Sequence, residues 1–309
     1  MRVVASSLES SEEARSLWGA DPALVQLAQL PGVDVLHGVD ATALERSELR
    51  GEAFDAVAFT FPHSGKKGRI QLNKSLLASF ALSLQKAALL RDHGHAEVTL
   101  AAGQGGTPAD GSKRRSSPGD SWQLALNVAA GGFLVTATEP FHHDGWTALG
   151  YRASGHYRGL GRGTMDKQFR STEGVVHCLL PEGRPGAVSR WAEVFELDAS
   201  FWVADDAWRA ALAAHLQGDT ADGPDVVQAF TYAVCDLSRR AVGQHLSSVA
   251  LVNLWQRPAD GRLSACLRFK YAAPELAMTH ARALTMHEAV KECLQRHMRV
   301  TVRTRADVV

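Results

Sequence analysis

The stretch Phe54 to Gly68, FDAVAFTFPHSGKKG, decides how this chain folds. Its first eight residues are mostly apolar or aromatic, the composition of a strand buried inside a parallel sheet. Pro62 then ends the ladder because it has no N–H to donate, and a polar, basic loop follows. Parallel neighbours need crossover helices, so the flanks are where helices belong. Upstream, Arg2 to Ser7 is a short β-rich run, Glu9 to Glu13 supplies helix-start residues, Ala14 to Leu30 has apolar residues at helical spacing, and Val33 to Leu36 is a second short strand. Downstream, Leu72 to Leu90 is a long amphipathic helix, Ala96 to Ala101 a strand, Gly103 to Gly119 a glycine- and serine-rich loop, and Trp122 to Ala130 a helix. Alternation at this spacing predicts a parallel sheet with helices on both faces. Phe133 to Thr138 and Gly174 to Leu179 then suit a terminal antiparallel pair.

Beyond the linker-like Pro181 to Gly186 (PEGRPG) the pattern changes. Phe195 to Val203 and Leu263 to Tyr271 alternate apolar and polar residues with period two, as half-buried strands do. Helices fit Ala207 to Leu216 and Val226 to Val242, and Pro258 to Gly261 turns a strand at Val249 to Gln256 into a hairpin with the next. Thr279 caps a final helix with His287 and His297 at the edges of its apolar stripe, and Val300 to Arg303 closes as a strand. The order βαββαβ predicts a ferredoxin-like unit whose sheet is covered on one face only. The expected class is therefore α/β plus α+β, with domains at 1–182 and 187–309.

Bulk properties exclude several classes. The 309 residues carry a formal net charge of zero at pI about 7.2, so any nucleic-acid contact must come from local basic clusters. The four cysteines form no CxxC pair, which argues against structural zinc or a disulfide framework. No apolar run spans a bilayer and the N-terminus has no signal-peptide core, so an intracellular protein, not secreted and without a membrane partner, is expected.

In open parallel sheets ligands sit at the carboxyl ends of the strands. Glu9 follows the first strand, where a carboxylate can accept both hydroxyls of a ribose or merely open a helix. Asp40 follows the second, where it can accept from an adenine amine or act as an N-cap. The loop after the third holds Phe61, Pro62, His63, Lys66, Lys67 and Arg69; His63 there is a ligand contact or a surface histidine, and the cations a phosphate site or a solvated turn. Gln104 opens the glycine-rich loop after the fourth strand, whose glycines permit close approach of a ligand to the backbone. Lys113, Arg114 and Arg115, with Arg152, Arg158, Arg162, Lys167 and Arg170, are candidate phosphate contacts at the rim. His142-His143-Asp144 reads better as a surface turn than as a metal site, and Gly159 to Gly163 better as a loop than as a phosphate cradle. On the C-terminal sheet Trp202, Arg268 and Lys270 share the face opposite the apolar one. They suit a stacked base and its phosphate, or solubilise and pack.

HGVDATAL, FDAVAFTFPHSGKKG, NKSLL with Asn73, EVTLAAGQGG and SWQ around Trp122 resemble the large-subunit ribosomal RNA uridine-N3 methyltransferase family. FELDASFWVAD at Phe195 to Asp205 and LRFKYAAPE at Leu267 to Glu275 are similar to the ferredoxin-fold anticodon-binding (FDX-ACB) domain that ends phenylalanyl-tRNA synthetase chains. The first resemblance implies a Rossmann-like class I methyltransferase sheet and S-adenosyl-L-methionine as cofactor, with Glu9, Asp40, Phe61 and Pro62 in its pocket. It also implies His63 as base or uracil contact, with Gln104 or Asn73 orienting it, and a cytoplasmic or nucleolar setting. The family opens with a strand and a GEGxFSF turn, whereas Met1 here precedes what the family treats as its second strand. A sheet without its first strand, and impaired cofactor binding, are the expectations.

Two functions follow: an RNA-directed uridine-N3 methyltransferase acting on rRNA, and a noncatalytic adaptor for RNA or tRNA. A synthetase fragment is a poorer reading, since no aminoacylation motif is present. No metal is expected, and the oligomeric state is not legible.

Overall fold

The computed structural model describes residues 1–18, 20–65, 69–107, 121–151, 171–218, 225–304 and 307. They form two compact units, one of Met1–Trp191 with Pro274–Ala277, the other of Ala192–Ala273 with Met278–Val309.

In the first unit β1 (Val3–Ser7) pairs in parallel with β2 (Val33–His37), from Val3 opposite Val33 to Ser7 opposite His37. Two helices connect them, α1 (Ser11–Trp18) and α2 (Asp21–Gln29). The single helix expected over Ala14 to Leu30 is thus divided, and the physical reason is Pro22. It sits in the first turn of α2, where its missing N–H costs nothing, and would break a continuous helix. A capping box opens α1: Ser10 Oγ accepts the Glu13 N–H at 3.2 Å and Glu13 Oε2 accepts the Ser10 N–H at 3.0 Å.

A second parallel pair, β3 (Phe54–Thr60) and β4 (Leu90–Leu100), is joined by α3 (Ile70–Ala87). Then come α4 (Leu124–Val128), a 3-10 turn at Ala129–Gly131, β5 (Phe133–Pro140), α5 (His143–Ala148) and β6 (Val175–Pro181). Strand β6 lies antiparallel between β4 and β5, giving the order β3-β4-β6-β5 and the terminal antiparallel pair expected of these segments. Leu77, Phe80 and Leu84 of α3 and Leu124 and Val128 of α4 pack on Ala96, Val98, Leu100, Val135 and Leu179 of this sheet. Each large side chain so buried contributes roughly 1.5–3 kcal/mol. Phe59 meets Phe80 with ring centroids 4.6 Å apart. At Gly131 the chain runs so close to the Ala81 backbone that any Cβ would collide with it.

The parallel strands do not form one continuous sheet: β1-β2 and β3-β4-β6-β5 are separate, and β1 and β3 each keep one edge unpaired among the described residues. A ladder needs strand axes within about 4.8 Å, and no described strand pairs with the open edge of either. The division between units also falls beyond Pro181 to Gly186, because the Glu182 N–H donates to the Gly132 carbonyl and Ala187 packs with Ala129 and Leu134.

The second unit runs β7 (Phe195–Val203), α6 (Asp206–Leu216), α7 (Asp225–Val242), β8 (Leu246–Gln256), β9 (Leu263–Tyr271), α8 (His280–His297) and β10 (Val300–Val302). Its four strands are antiparallel in the order β10-β7-β9-β8. Asp205 caps α6 through the Ala207 and Trp208 N–H groups, and Thr279 caps α8 through that of Arg282. Period two sends Phe201, Leu267, Phe269 and Tyr271 into a core with Leu212, Phe230, Val290 and Leu294. His287, expected at the edge of the α8 stripe, is buried, and its Nδ1 lies 2.9 Å from the Tyr271 hydroxyl. Burial pushes the histidine pKa down and the phenol up.

Candidate functional site

The loops after β1 and β2 are tied together: the Gly38 N–H donates to the Glu9 carbonyl at 3.2 Å and the Val39 N–H to that of Ser7 at 2.9 Å. Because Ser10 and Glu13 cap α1, the Glu9 side chain is not the helix opener. It is half-buried, and its carboxylate has no hydrogen bond or ion pair among the described residues. Asp40 is exposed and uses Oδ1 for a local turn, accepting from the Thr42 N–H at 2.8 Å and hydroxyl at 2.7 Å. Two carboxylates thus stand on adjoining loops, an acceptor set suited to donors such as the hydroxyls and amine of a nucleoside.

The loops after β3 and β4 form a second assembly. Phe61 is in the left-handed region at φ 49°, its N–H donating to the Thr99 carbonyl. Its ring reaches Phe141, edge on at 5.1 Å, and leaves no room for a side chain at Gly174. Pro62 is buried behind it. Asn73, buried in the first turn of α3, accepts the Ser64 N–H at 2.9 Å and so anchors the loop. His63 stands on that loop with its ring 6.0 Å from Trp122. Its Nδ1 accepts the Gly65 N–H at 2.9 Å, which fixes the neutral tautomer with the proton on Nε2.

Gln104 is absorbed by its own turn: Oε1 accepts the Ala101 N–H at 3.0 Å, and its carbonyl accepts the Trp122 N–H at 2.7 Å. Gly106, at φ 75°, approaches Ser121 so closely that a Cβ would lie 2.6 Å from the serine oxygen. Lys74 Nζ donates to Gln123 Oε1 at 2.6 Å across the same mouth. His63, Asn73, Gln104 and Trp122 are therefore brought together, while Glu9 and Asp40 form their own group.

Among the remaining candidates, Arg69 is exposed just before α3, and Lys66, Lys67, Lys113, Arg114, Arg115, Arg152, Arg158, Arg162, Lys167, Arg170 and Gly159 to Gly163 lie outside the described residues. His143 Nδ1 is 2.9 Å from Ser171 Oγ, and no metal-binding group of three or more His, Cys, Asp or Glu occurs among the described residues. No helix among them is long and apolar enough to cross a membrane.

On the second unit, register alters what the cations can do. Arg268 faces Asp198 across β7 and β9, bonding both carboxylate oxygens at 2.8 and 2.9 Å, and Lys270 pairs with Glu196 at 2.6 Å. These ion pairs hold both carboxyls below their ordinary pKa. Trp202 is only 3% exposed, covered by the guanidinium groups of Arg262, Arg257 and Arg303 at 4.2, 5.0 and 5.8 Å from its ring centroid. So Arg268 and Lys270 are neutralised, and Trp202 is no open stacking platform. The three arginines escaped the sequence reading, although Arg257 and Arg262 flank the Pro258 to Gly261 turn symmetrically.

Residues 1–155, half the chain, match the family model described as rRNA (uridine-N3-)-methyltransferase BTM5-like. The chain belongs to this family. Every candidate from Glu9 to Gln104 falls inside the matched BTM5-like region, and Trp202, Arg268 and Lys270 fall outside it. Human Ferredoxin-fold anticodon-binding domain-containing protein 1 is 37% identical over 155 residues, 50% of this chain and 23% of that protein. Its mouse homolog is 39% identical over 173 residues, 55% of this chain and 26% of its own length. The Arabidopsis thaliana Heavy metal-associated isoprenylated plant protein 41 is 33% identical over 141 residues, 43% and 24% of the two chains. The BTM5-like chain described here thus spans about a quarter of the curated relatives it matches.

Proposed function

We propose that this is an RNA-directed protein of S-adenosyl-L-methionine-dependent uridine-N3 methylation, with a class I methyltransferase-like region over 1–182 and an FDX-ACB-type, ferredoxin-like region over 187–309. Strand orders β3-β4-β6-β5 and β10-β7-β9-β8, with β1-β2 apart, support a Rossmann-like sheet opened at its first strand and a βαββαβ unit. Glu9 and Asp40 would hold the ribose and adenine of the cofactor, which supplies a sulfonium methyl group when bound.

The observation that carries the reading is the Gly65 N–H bond to His63 Nδ1. It gives the anchored loop an Nε2–H donor beside Trp122. Uracil must lose its N3 proton, which passes to solvent hydroxide, to become nucleophilic, and the charge left behind spreads onto its carbonyl oxygens. A donor directed at one of those oxygens stabilises that anion, so His63 acts as a uracil contact and not as the base. Asn73 positions the loop, and Gln104 and Trp122 shape the wall.

The unpaired edges of β1 and β3 favour a second reading, a noncatalytic RNA- or tRNA-binding adaptor, because the central strand normally floors the cofactor pocket. Titration calorimetry with S-adenosylmethionine and S-adenosylhomocysteine, followed by methyl transfer to rRNA, separates the two. Cofactor binding that is lost in Glu9→Gln supports the enzyme. RNA binding without any cofactor binding supports the adaptor.

A further inference from the structure

In the second turn of α3, Lys74 is a cation without a counterion. Its Nζ donates to Gln123 Oε1 at 2.6 Å, and no carboxylate among the described residues pairs with it. One turn away on the same helix Ile70, Gln71, Leu77 and Ala78 carry no charge, and neither does any residue of α4. The nearest described charge in sequence is Arg69, another cation, and the neighbouring loop adds His63. Lys74 is nevertheless half-buried. Cations drawn out of water are ordinarily matched by a carboxylate, whereas an amide leaves the ammonium its full charge and its other N–H donors.

The contacts around it close a ring. Asn73, beside Lys74, accepts the Ser64 N–H at 2.9 Å; His63, beside Ser64, has its ring 6.0 Å from Trp122; and Gln123, beside Trp122, returns to Lys74. Gln123 lies in the left-handed region at φ 47°, where a residue other than glycine is strained. Two contacts keep it there: Ser121 Oγ accepts its N–H at 3.3 Å, and Asn127 Nδ2 donates to its carbonyl at 3.0 Å. Strain held in this way fixes the amide against Lys74, so the ammonium is tethered to the ring that carries His63.

We infer that Lys74 is a substrate contact, its ammonium donating to one carbonyl oxygen of the target uracil as N3 loses its proton. This rests on the uridine-N3 reading above, in which His63 serves a uracil oxygen, and it supplies the full charge that a neutral imidazole does not. Uracil has a carbonyl on each side of N3, so a second donor completes the match to that edge. The proton passes to solvent hydroxide, which becomes water; the electron pair stays on the ring, and Lys74 keeps all of its protons. A hydrogen bond from a charged donor to the anion is roughly twice as strong as one from a neutral donor, and a cation at contact favours the ionised form. Cytosine carries an amino donor in place of one of these carbonyls and would set donor against donor.

The test is fluorine NMR of an oligouridylate carrying one 5-fluorouridine, mixed with the full chain across a pH series, the fluorine shift reporting ionisation at N3. Bound to the parent, the base is expected to ionise about one unit lower than in the free probe, an ionisation constant about tenfold larger. Lys74→Gln should abolish this difference and Lys74→Arg should keep it. Gln123→Glu separates charge from tether: the contact to Lys74 is retained but the ammonium is neutralised, so the difference should again be lost. A merely structural lysine would be held as well or better by that glutamate, and Lys74→Gln and Lys74→Arg would leave the bound base alike. Circular dichroism establishes that each variant is folded. A bound probe that ionises alike in the parent, Lys74→Gln and Gln123→Glu overturns the inference and leaves the His63 contact standing. A difference that survives Lys74→Gln but disappears in His63→Ala assigns the effect to the histidine and overturns it equally. A parent chain that leaves the probe unbound removes the RNA-directed reading together with it.

Discussion

Replacing Asn73 by alanine tests whether one buried amide holds the loop on which the proposed chemistry depends. Asn73 is 4% exposed, and its Oδ1 accepts the Ser64 N–H at 2.9 Å. Leaving a buried donor without its acceptor costs about 1–3 kcal/mol. Ser64 is half-buried, so water can replace part of the lost bond and the lower half of that range applies. About 1.4 kcal/mol is tenfold in an opening equilibrium, and the Ser64 amide should therefore exchange its hydrogen about tenfold faster. Amides of β3 and β4, held by their own ladder, should keep their protection. Asn73→Asp retains an acceptor oxygen and should preserve the slow exchange at a pH where the carboxylate is ionised. Hydrogen exchange read by NMR or mass spectrometry at peptide resolution separates the two outcomes. Unchanged protection at Ser64 in the alanine variant would refute the assignment of Asn73 as the anchor and, with it, the fixed presentation of His63.

Other consequences are as direct. Gly131→Ala forces a Cβ into the Ala81 backbone, which cannot swing aside as a side chain can; a loss of at least about 2 kcal/mol is expected in urea unfolding. The buried His287 titrates below its ordinary pKa, mainly through desolvation, so the unfolded chain takes up the proton first as pH falls. Stability should be full above the ordinary histidine range near pH 6.5 and decline as pH drops through and below it, and His287→Gln should flatten that dependence between pH 7.5 and 5. Arg268→Gln should leave the thermal midpoint nearly unchanged, since its ion pairs lie in solvent, and a large drop in scanning calorimetry would contradict this. Glu9→Gln should leave the helicity of α1 intact in circular dichroism because Ser10 and Glu13 make the cap; a loss of helix would return Glu9 to a structural role.

Much of this protein is set by short-range pattern. Phe54 to Thr60 is a strand as its aromatic and apolar composition predicts, but not the buried one expected: none of its residues is buried, because β3 lies at the edge of its sheet. Phe195 to Val203 and Leu263 to Tyr271 expose their period of two directly, and Thr279 marks the start of α8 by the same hydroxyl that caps it. Such features depend on dihedral preference and on neighbours a few residues away. What the tertiary structure decided is partnership. The separation of β1-β2 from β3-β4 depends on which backbone edges come within hydrogen-bonding distance, which no local pattern encodes. Arg268 is neutralised because register sets it opposite Asp198, 70 residues away. Trp202 is covered because a hairpin turn and the chain after β10 converge upon it from different parts of the sequence. A side chain's face follows from its own strand, but its charge balance and exposure follow from whatever the fold carries to that face.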